Sequence, residues 1–345
     1  MTMKGLSIKQ ISELSGVSTA TVSRVINHNG RFSKETEERV LAVIEQYQYV
    51  PNMVARGLRR NASAIIGVIV PDITNEFFAR IVLKIQMELF ERNFSAVICN
   101  TNENEQLEIS HLQFLRAQNV SGLIFISGNP SHAQPSESMP TVFIDRRPQY
   151  VKRKDTIIIE SDNVRGGYLA GKTLLACGAR RIATIMDSRM HTAGETRFQG
   201  FQSAMQEAGV AIVPSLQLRV PEVGFRAAHD CISSLIESKE QFDGLFCGTD
   251  WLAMGALAAM HERGVHVPGD VCVVGFDDVS IATFSSKPIT TIHQDAEHMG
   301  ELAVELLLQR IEGEKIENAH RVLDVRVIHR ATTRQIRNDG LNKHQ

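Results

Sequence analysis

The chain has 345 residues, a formal net charge of −2, 43% hydrophobic side chains and 22% charged side chains. Those proportions exclude a wholly disordered chain, and at about 150 residues per domain the length predicts two or three folded units. No apolar run approaches the roughly 20 residues of a membrane helix, and the N-terminal residues lack the apolar stretch of a signal peptide, so a cytoplasmic protein without membrane association is expected.

The charge is unevenly distributed along the chain. Residues 1–60 carry nine Lys and Arg against five Glu, a net charge of +4, whereas the remaining residues carry a net charge of −6. A small basic region joined to a mildly acidic body suggests a polyanionic partner for the basic region. Charge alone is equally compatible with a solvated basic surface, so the local pattern has to decide.

The first 50 residues predict a headpiece of three short helices. Ser7, Ser18 and Ser33 are suited to cap these helices, and Gly16 permits a tight turn between the first two. Two short helices joined by such a turn are typical of a helix-turn-helix module. The predicted small core of this unit consists of Ile8, Ile11, Leu14, Val17, Val22, Val25 and Ile26.

The second predicted helix presents short side chains and one arginine to solvent. An arginine donates two hydrogen bonds to guanine, and small side chains contact the thymine methyl group, so this helix is suited to the major groove. The outward positions are Thr19, Ala20, Ser23, Arg24 and Asn27.

Residues 62–330 are predicted to form an α/β core of two doubly wound lobes. Fully apolar strands that alternate with helices, such as the one near 76–92, predict parallel sheets covered on both faces. The strands are too many for one compact sheet, so two lobes are predicted. A ligand cleft is expected where the carboxyl ends of the strands of the two lobes converge. A polar, frayed tail is predicted for 331–345. The predicted strands are 65–70, 95–99, 122–126, 141–145, 156–160, 181–186, 244–247 and 271–277.

Several segments resemble the lactose-repressor (LacI/GalR) family of bacterial transcription regulators, and the resemblance extends over nearly the whole chain. It implies a helix-turn-helix headpiece, a hinge and a two-lobed core resembling periplasmic sugar-binding proteins. The segments that carry it are GVSTATVSRVIN at 16–27, YVPN at 49–52, VARGL at 54–58, RFQGF at 197–201, GFDD at 275–278 and PITTI at 288–292.

The resemblance implies that the hinge, residues 51–61, folds on operator DNA and inserts Leu58 into the minor groove. An apolar wedge of this kind unstacks a base step and kinks the duplex. Gly57 lowers helix stability by ~1 kcal/mol relative to alanine, so this hinge should need DNA to become ordered. Alternatively, Leu58 packs on the protein's own core. The expected DNA contacts are Ser18, Thr19, Ala20, Thr21, Ser23, Arg24, Asn27, Asn52, Ala55, Leu58 and Arg59.

The resemblance also implies that a small effector bound between the lobes sets operator affinity. Arg197 matches a residue that grips ligand oxygens, and Asp277 matches one that accepts sugar hydroxyls. Structural alternatives are a helix cap or turn for Asp277 and Asp250, and a plain core position for Phe77 and Phe78. The expected ligand contacts are Phe77, Phe78, Asp145, Arg146, Arg197, Arg219, Asp250, Asp277 and Gln294.

The expected effector is a sugar, a sugar acid or a sugar phosphate. Arg146 and Arg219 stand where several relatives place an aromatic residue, and with Arg197 they would surround the cleft with three guanidinium groups. Such a cluster favours an anionic ligand, because forked donors match carboxylate and phosphate. Alternatively, Arg146 pairs with Asp145 or solvent, and Arg219 lies at the surface.

Residues 166–173 match the phosphate-loop pattern GxxxxGK[ST] literally. In a phosphate loop the helix begins at the lysine, whereas here Val164 and Tyr168 already follow helical spacing. A helix capped by Asp162 or Asn163 would therefore contain the whole motif. A P-loop NTPase remains a weak alternative, and a transport or sensory solute-binding protein is another.

Other catalytic or metal chemistry is sparse. The five cysteines contain no CxxC pair, and the twelve histidines show no metal-ligand spacing, so no enzyme, cofactor, metal or disulfide is predicted. The resulting prediction is a DNA-binding transcription regulator, a repressor of a carbohydrate-related operon. A homodimer on a nearly palindromic operator is expected, because one headpiece reads only a few base pairs and two-fold symmetry doubles the contact. Some relatives tetramerise through a C-terminal leucine heptad, which residues 331–345 lack, so a dimer is expected rather than a tetramer.

Overall fold

The computed structural model of the protein describes residues 6–26, 29–47, 63–126, 138–145, 156–189 and 192–334. The chain divides into a headpiece unit, residues 1–64, and a core unit, residues 65–345. The hinge at 51–61 lies outside the described residues, and so do the predicted site residues Asn27, Asn52, Ala55, Leu58, Arg59 and Arg146.

The headpiece unit contains the three predicted helices, α1 (Ile8–Ser15), α2 (Thr19–Ile26) and α3 (Lys34–Gln46). Gly16 ends α1 with a φ of 68°, a left-handed conformation that glycine adopts without strain. All three helices have the predicted serine cap, whose hydroxyl accepts a backbone hydrogen bond from the first turn, at Ser7, Ser18 and Ser33.

The headpiece core is small and differs from the prediction at one position. Ile11, Val22, Val25 and Val40 are fully buried and contact one another. Leu14 is 49% exposed, so its predicted place in this core is wrong. The third helix supplies the missing apolar surface through Val40, a contact between elements that helical periodicity within the first two helices does not reveal.

The first lobe of the core is a six-stranded, all-parallel sheet flanked by helices on both faces. Its strands are β1 (Ile65–Val70), β2 (Ser95–Asn100), β3 (Gly122–Ile126), β4 (Thr141–Ile144), β5 (Ile157–Ser161) and β11 (His320–Leu323), and its helices are α4 (Glu76–Glu91), α5 (Glu105–Ala117) and α11 (Ala296–Ile311). The strand order is β11-β5-β4-β3-β1-β2. Successive side chains point to opposite faces, so Val68 packs with α4 and α11 whereas Ile69 packs with α5.

The second lobe repeats this architecture with one antiparallel edge strand. Its strands are β6 (Ile182–Asp187), β7 (Gln217–Val220), β8 (Gly244–Cys247), β9 (Cys272–Asp277), β10 (Thr290–His293) and β12 (Arg326–Ile328), and its helices are α6 (Asn163–Ala176), α7 (Thr192–Glu207), α8 (Phe225–Glu237), α9 (Asp250–Glu262) and α10 (Ser280–Phe284). The strand order is β12-β10-β9-β8-β6-β7, and only β12 is antiparallel. The prediction of two doubly wound lobes is therefore confirmed.

The chain crosses between the lobes three times. It leaves the first lobe after β5, returns after β10 into α11, and crosses again between β11 and β12. The strands β7, β10, β11 and β12 were not among those predicted, because each has only three or four residues and β11 and β12 contain no fully buried position. Their pairing partners stabilise them, and those partners are distant in sequence.

The predicted tail begins too early. Thr332 is fully buried, its hydroxyl donates to the Val273 carbonyl at 2.8 Å, and the same hydroxyl accepts from the Thr290 amide at 2.8 Å. Thr333 is also buried and shares a 2.7 Å hydroxyl contact with Thr290. A polar composition does not imply fraying when every hydroxyl has a partner, so residues 331–334 belong to the second lobe.

The phosphate-loop match at 166–173 lies entirely inside α6, as the spacing predicted. Asp162 caps this helix by accepting a hydrogen bond from the Arg165 amide at 2.9 Å. Lys172 pairs with Glu207 of α7 at 3.1 Å. The amides of the motif therefore belong to a regular helix, where they donate to carbonyls of the preceding turn and do not cradle a phosphate.

The glycines of this region allow α6 and α7 to touch backbone to backbone. A Cβ atom on Gly167 would lie 1.7 Å from the Arg197 carbonyl oxygen, and one on Gly200 would lie 1.8 Å from the Val164 carbonyl oxygen. Neither distance is possible for real atoms. The approach of these two helices therefore requires glycine at both positions.

Gly200→Ala should lower the free energy of unfolding of the core by about 1–3 kcal/mol or more, because the two helices must separate to admit the methyl group. Gly194→Ala is the matched control on the same helix, since a Cβ there meets no atom within 4 Å. It should raise stability by up to ~1 kcal/mol through helix propensity. Urea unfolding followed by circular dichroism measures both, and equal stability of the two variants would refute the packing interpretation.

Candidate functional site

Arg197 of α7 is a buried cation at the centre of the candidate site, with only 6% of its surface exposed. Its Nε donates to the Asn163 side-chain oxygen at 2.8 Å, and its Nη1 donates to the Gly248 carbonyl at 2.8 Å. The guanidinium carbon lies 3.8 Å from the centre of the Phe276 ring, within the range of a cation–π contact. These three contacts fix the guanidinium plane.

Two carboxylates, one from each lobe, face this guanidinium. Asp277, the last residue of β9, has an oxygen 3.6 Å from Nη1 of Arg197, and Asp145, which follows β4, has an oxygen 4.0 Å from Nη2. Both aspartates have positive φ, 105° and 69°, a conformation that L-residues rarely adopt. Backbone strain at the carboxyl ends of two strands is typical of a functional site.

Gln294, which follows β10, completes the group. It is fully buried, and its Nε2 donates to the Asp277 carboxylate at 2.8 Å. Its Oε1 accepts no hydrogen bond from any residue that the structure describes. The structure thus brings together four predicted ligand residues, Arg197, Asp145, Asp277 and Gln294.

The Asp277 carboxyl changes charge near neutral pH. Burial raises its pKa to about 7, although Arg197 favours the ionised form and opposes this rise. The negative charge of Asp145 adds to it, and the hydrogen bond from Gln294 acts against it. A ligand group that donates a hydrogen bond to the Asp277 carboxylate would favour its ionised form.

Asp250 does not share this arrangement, although it was predicted as a ligand contact. One of its oxygens accepts from the Thr291 hydroxyl at 2.6 Å and the other from the Val279 amide at 3.0 Å. Its side chain is fully buried, and burial raises its pKa well above the usual value. Both oxygens therefore bind groups of the protein, and Thr249, not Asp250, caps α9, so a ligand contact by Asp250 stays a prediction.

The two predicted aromatic ligand contacts lie in the first-lobe core. Phe77 is 3% exposed and Phe78 is 8% exposed, and both pack in the apolar cluster beneath α4. Their ring centroids are 5.5 Å apart. Most of the surface of Phe77 and Phe78 is therefore buried in the core, and their role in the ligand wall remains a prediction.

Arg219 is exposed on the edge strand β7. Its guanidinium lies 5.4 Å from the centre of the Phe198 ring and donates to the Asp187 carbonyl at 3.4 Å. These contacts are those of a surface arginine, the alternative considered above. They do not join it to the buried guanidinium of Arg197.

Sequence reasoning missed the part that Asn163 plays in the site. It was considered only as a helix cap, whereas its side chain accepts from Arg197 and donates to the Ser161 carbonyl at 3.2 Å. The two partners in the first contact are 34 positions apart. No local pattern identifies such a contact.

The headpiece presents a separate candidate surface on α2. Four of the predicted positions are exposed and two are half-buried: Ser18, Thr19, Ala20 and Arg24 are exposed, and Thr21 and Ser23 are half-buried. The stem of Arg24 lies beside Gly30, where a Cβ atom would come within 3.2 Å of its Cδ. This contact restricts the aliphatic part of the Arg24 side chain, which lies on the exposed face of α2.

The described part of the chain offers neither a metal-binding cluster nor a membrane-spanning helix. No group of three or more His, Cys, Asp or Glu side chains there is placed to hold a metal ion. Among the helices the structure describes, none has both the length and the apolar character to cross a membrane.

Sequence comparison places the chain among known regulators. The family model described as "Bacterial regulatory proteins, lacI family" matches residues 7–52, and "Periplasmic binding protein-like domain" matches residues 172–333. The HTH-type transcriptional repressor PurR of Haemophilus influenzae (strain PittEE) is 36% identical over 314 residues, which cover 88% of this chain and 90% of the relative. The ribose operon repressor of Escherichia coli (strain K12) is 33% identical over 309 residues, which cover 88% and 92%.

Solved structures agree with the sequence relatives. The lac repressor dimer bound to operator and the anti-inducer ONPF has a TM-score of 0.83 and 26% identity, covering 96% of this chain and 99% of that one. A complex of the transcriptional regulator CelR with cellobiose has a TM-score of 0.73 and 28% identity, covering 95% and 99%. A helix-turn-helix headpiece joined to such a core defines a class of effector-controlled DNA-binding regulators. The chain belongs to the LacI family of bacterial transcription regulators.

The raised pKa of Asp277 makes the stability of the core depend on pH. Because the folded protein holds this proton up to about pH 7 and the unfolded chain releases it near pH 4, stability falls as the pH rises between those values. Between pH 5 and pH 8, the wild type should lose about 2–3 kcal/mol more stability than Asp277→Asn. Asparagine also tolerates positive φ.

Urea unfolding at the two pH values measures this difference. Asp324→Asn, which removes an exposed carboxylate between β11 and β12, is the control and should follow the wild type. Parallel pH profiles for the wild type and Asp277→Asn would show that the carboxyl does not titrate in this range.

Proposed function

We propose that this regulator is a homodimeric cytoplasmic repressor of a carbohydrate-related operon, released or recruited by a neutral polyhydroxy effector that binds between its lobes. The observation that carries the proposal is the buried group of one guanidinium, two carboxylates and one amide, assembled from both lobes around Arg197. A ligand that bridges these groups has to contact both lobes at once.

The charges of this group favour a neutral effector over an anion. Asp145 and Asp277 both face the single guanidinium of Arg197, so its charge is already balanced and an anion entering the site meets no unpaired cation there. The same carboxylates and the Gln294 Oε1 accept hydrogen bonds from hydroxyl groups, and Arg197 donates to hydroxyl or ring oxygens. A polyol offers both donors and acceptors at close spacing, as this set requires.

Three similar proteins are associated with this chemical class, although the PurR relatives are not named for a sugar. One relative is named for the ribose operon, one structure holds cellobiose, and another family structure holds D-xylulofuranose. All three ligands or operons concern neutral sugars. For this chain a neutral sugar is therefore the proposed effector.

Control of DNA binding follows from a ligand that prefers one arrangement of the lobes. An effector shifts the equilibrium between arrangements only by its difference in affinity for them. We propose that one arrangement lets both headpieces of the dimer occupy the operator. By reciprocity, operator DNA changes effector affinity by the same factor.

The exposed face of α2 supports its assignment as the recognition helix. Arg24 is the base-reading residue of this proposal, and Thr19 and Ala20 contact bases through short side chains. Contacts from the hinge, including Leu58, extend the proposal to the minor groove by resemblance to the family.

Arg24→Ala should weaken binding to the specific operator by about 1–3 kcal/mol and relax base preference at one position in each half-site. Arg39→Ala, an exposed arginine on α3, is the control and should leave base preference intact. The operator is first recovered by selection from randomised duplex DNA, and fluorescence anisotropy then gives affinities for single-base variants. An unchanged preference in Arg24→Ala would exclude α2 as the recognition helix.

An apolar stripe on α4 supports the homodimer. Leu83, Met87 and Phe90 follow one face of the helix at spacings of four and three residues, and they are 58%, 54% and 81% exposed. Phe284 of α10, in the second lobe, is 83% exposed. Clustered apolar surface of this kind in a stable protein indicates a covering partner, and we propose a second copy of this chain.

Phe90→Lys combined with Leu83→Lys should convert the dimer to a monomer, because two charges would be desolvated in the apolar interface. Phe114→Lys is the matched control, since Phe114 is 48% exposed on α5, which packs on the opposite face of the first-lobe sheet. Sedimentation velocity at micromolar concentration measures the state of each variant. A wild type that sediments as a monomer, with and without DNA, refutes the dimer.

Calorimetric titration tests the effector class. D-Ribose and cellobiose, as neutral sugars, should bind more tightly than uronates or sugar phosphates. Arg197→Ala should weaken the best neutral ligand more than tenfold, because it leaves two buried carboxylates facing each other. Arg219→Ala, an exposed arginine, should leave affinity unchanged. Preference for an anion, together with weaker binding in Arg219→Ala, would instead support the three-guanidinium cluster.

A further inference from the structure

Residues 277–280 of the second lobe form a turn against α4 of the first lobe, here named the docking turn. It begins with Asp277 of the effector site and ends with Ser280, the first residue of α10. Asp277 and Asp278 both have positive φ, 105° and 58°. Non-glycine residues rarely adopt positive φ, so two such residues in succession require contacts with their surroundings that hold the turn in this conformation.

Glu76, the first residue of α4, binds the end of this turn. Its two carboxylate oxygens accept from the Ser280 amide at 2.9 Å and 3.0 Å, and one of them also accepts from the Ser280 hydroxyl. Glu76 and Ser280 belong to different lobes. One side chain of the first lobe thus satisfies both hydrogen-bond donors at the end of the docking turn.

Arg80, one turn further along α4, binds the middle of the docking turn. Its guanidinium makes a forked pair with Glu297 of α11, with contacts of 2.9 Å and 3.0 Å, which fixes it to the first lobe. Its Nη1 also donates to the Asp278 carbonyl at 3.4 Å. The arginine therefore joins two helices of the first lobe to a backbone oxygen of the second.

The second lobe holds Asp278 equally firmly. The Asp278 carboxylate accepts from His293 at 2.8 Å and from Arg330 at 2.6 Å. Although burial acts to raise it, these two partners keep the pKa of Asp278 below its usual range. Asp278 is therefore held from both lobes, by Arg80 through its carbonyl and by His293 and Arg330 through its carboxylate.

We infer that Glu76 and Arg80 are positioning residues that convert occupancy of the Asp277 site into a displacement of α4, the helix whose apolar stripe faces the second copy of the chain. The inference rests on the proposed function. It adds to that function the contact by which the effector site acts on the dimer surface, a path that runs from Asp277 along the docking turn to Glu76 and Arg80 of α4.

A double-mutant cycle on operator affinity tests this path. The four proteins are the wild type, Asp277→Asn, Glu76→Ala and the combined variant, all as full chains with the selected operator duplex. Asp277→Asn should change the operator dissociation constant at least tenfold in the wild-type background and less than twofold in the Glu76→Ala background. Neighbouring residues on one path give such non-additive effects, whereas independent sites give additive ones.

Conservative and unrelated variants separate a positioning role from a general loss of structure. Glu76→Gln retains a side-chain oxygen acceptor for Ser280 and should preserve the Asp277 effect, which keeps the test valid if Glu76→Ala folds poorly. Glu91→Ala, exposed at the end of α4, should also preserve it. Glu103→Gln removes a different inter-lobe ion pair, 3.6 Å from Arg189, and its effect should add to that of Asp277→Asn.

The outcomes distinguish the two proposals. Additive effects of Asp277→Asn and Glu76→Ala, or no effect of Asp277→Asn on a wild type that binds operator, would overturn the path through the docking turn and leave the proposed function intact. A wild type that selects no duplex DNA would overturn the proposed function and this inference together. Hydrogen exchange at the Ser280 amide provides the structural readout, and it should accelerate in Glu76→Ala only.

Discussion

The buried charge of Arg197 is the constraint on which the arrangement of the core depends. A guanidinium with 6% exposure is stable only when its donors are satisfied and its charge is balanced. Asn163 and the Gly248 carbonyl satisfy donors, and Asp145 and Asp277 balance the charge. Since these partners come from both lobes, the cation helps to determine how the lobes face each other.

Helix packing serves the same requirement. The Arg197 carbonyl lies where a Cβ atom on Gly167 would be, so the backbone that carries this arginine is positioned by the α6–α7 contact. The two glycines of that contact, Gly167 and Gly200, belong to segments that resemble different motifs, a phosphate loop and a family signature. In the folded protein both glycines allow the close contact of α6 and α7, and α7 carries Arg197 of the candidate site.

The elements that the sequence predicted correctly are those that local patterns determine. Serine caps, a left-handed glycine and apolar periodicity within one helix or strand identify the headpiece and most of both sheets. The errors concern contacts between distant segments. Leu14 is exposed, whereas Val40 of the third helix is buried in the headpiece core. Thr332 is buried because β9 and β10 pair with its backbone and hydroxyl. Asp250 likewise has two partners that are distant in sequence, Val279 and Thr291, and no local pattern predicts these contacts.

The proposed effector site lies at the segments where the chain passes between the lobes. Asn163 follows the first crossing, and Gln294 stands at the second, immediately before α11 returns to the first lobe. A ligand that binds Gln294 and Asp277 therefore contacts a residue of the segment that crosses between the lobes. Because three crossings connect the two sheets, the lobes can change their mutual orientation but cannot separate. A small ligand at this place needs only a modest difference in affinity between two orientations to change their populations, and a difference of 1.4 kcal/mol corresponds to about tenfold.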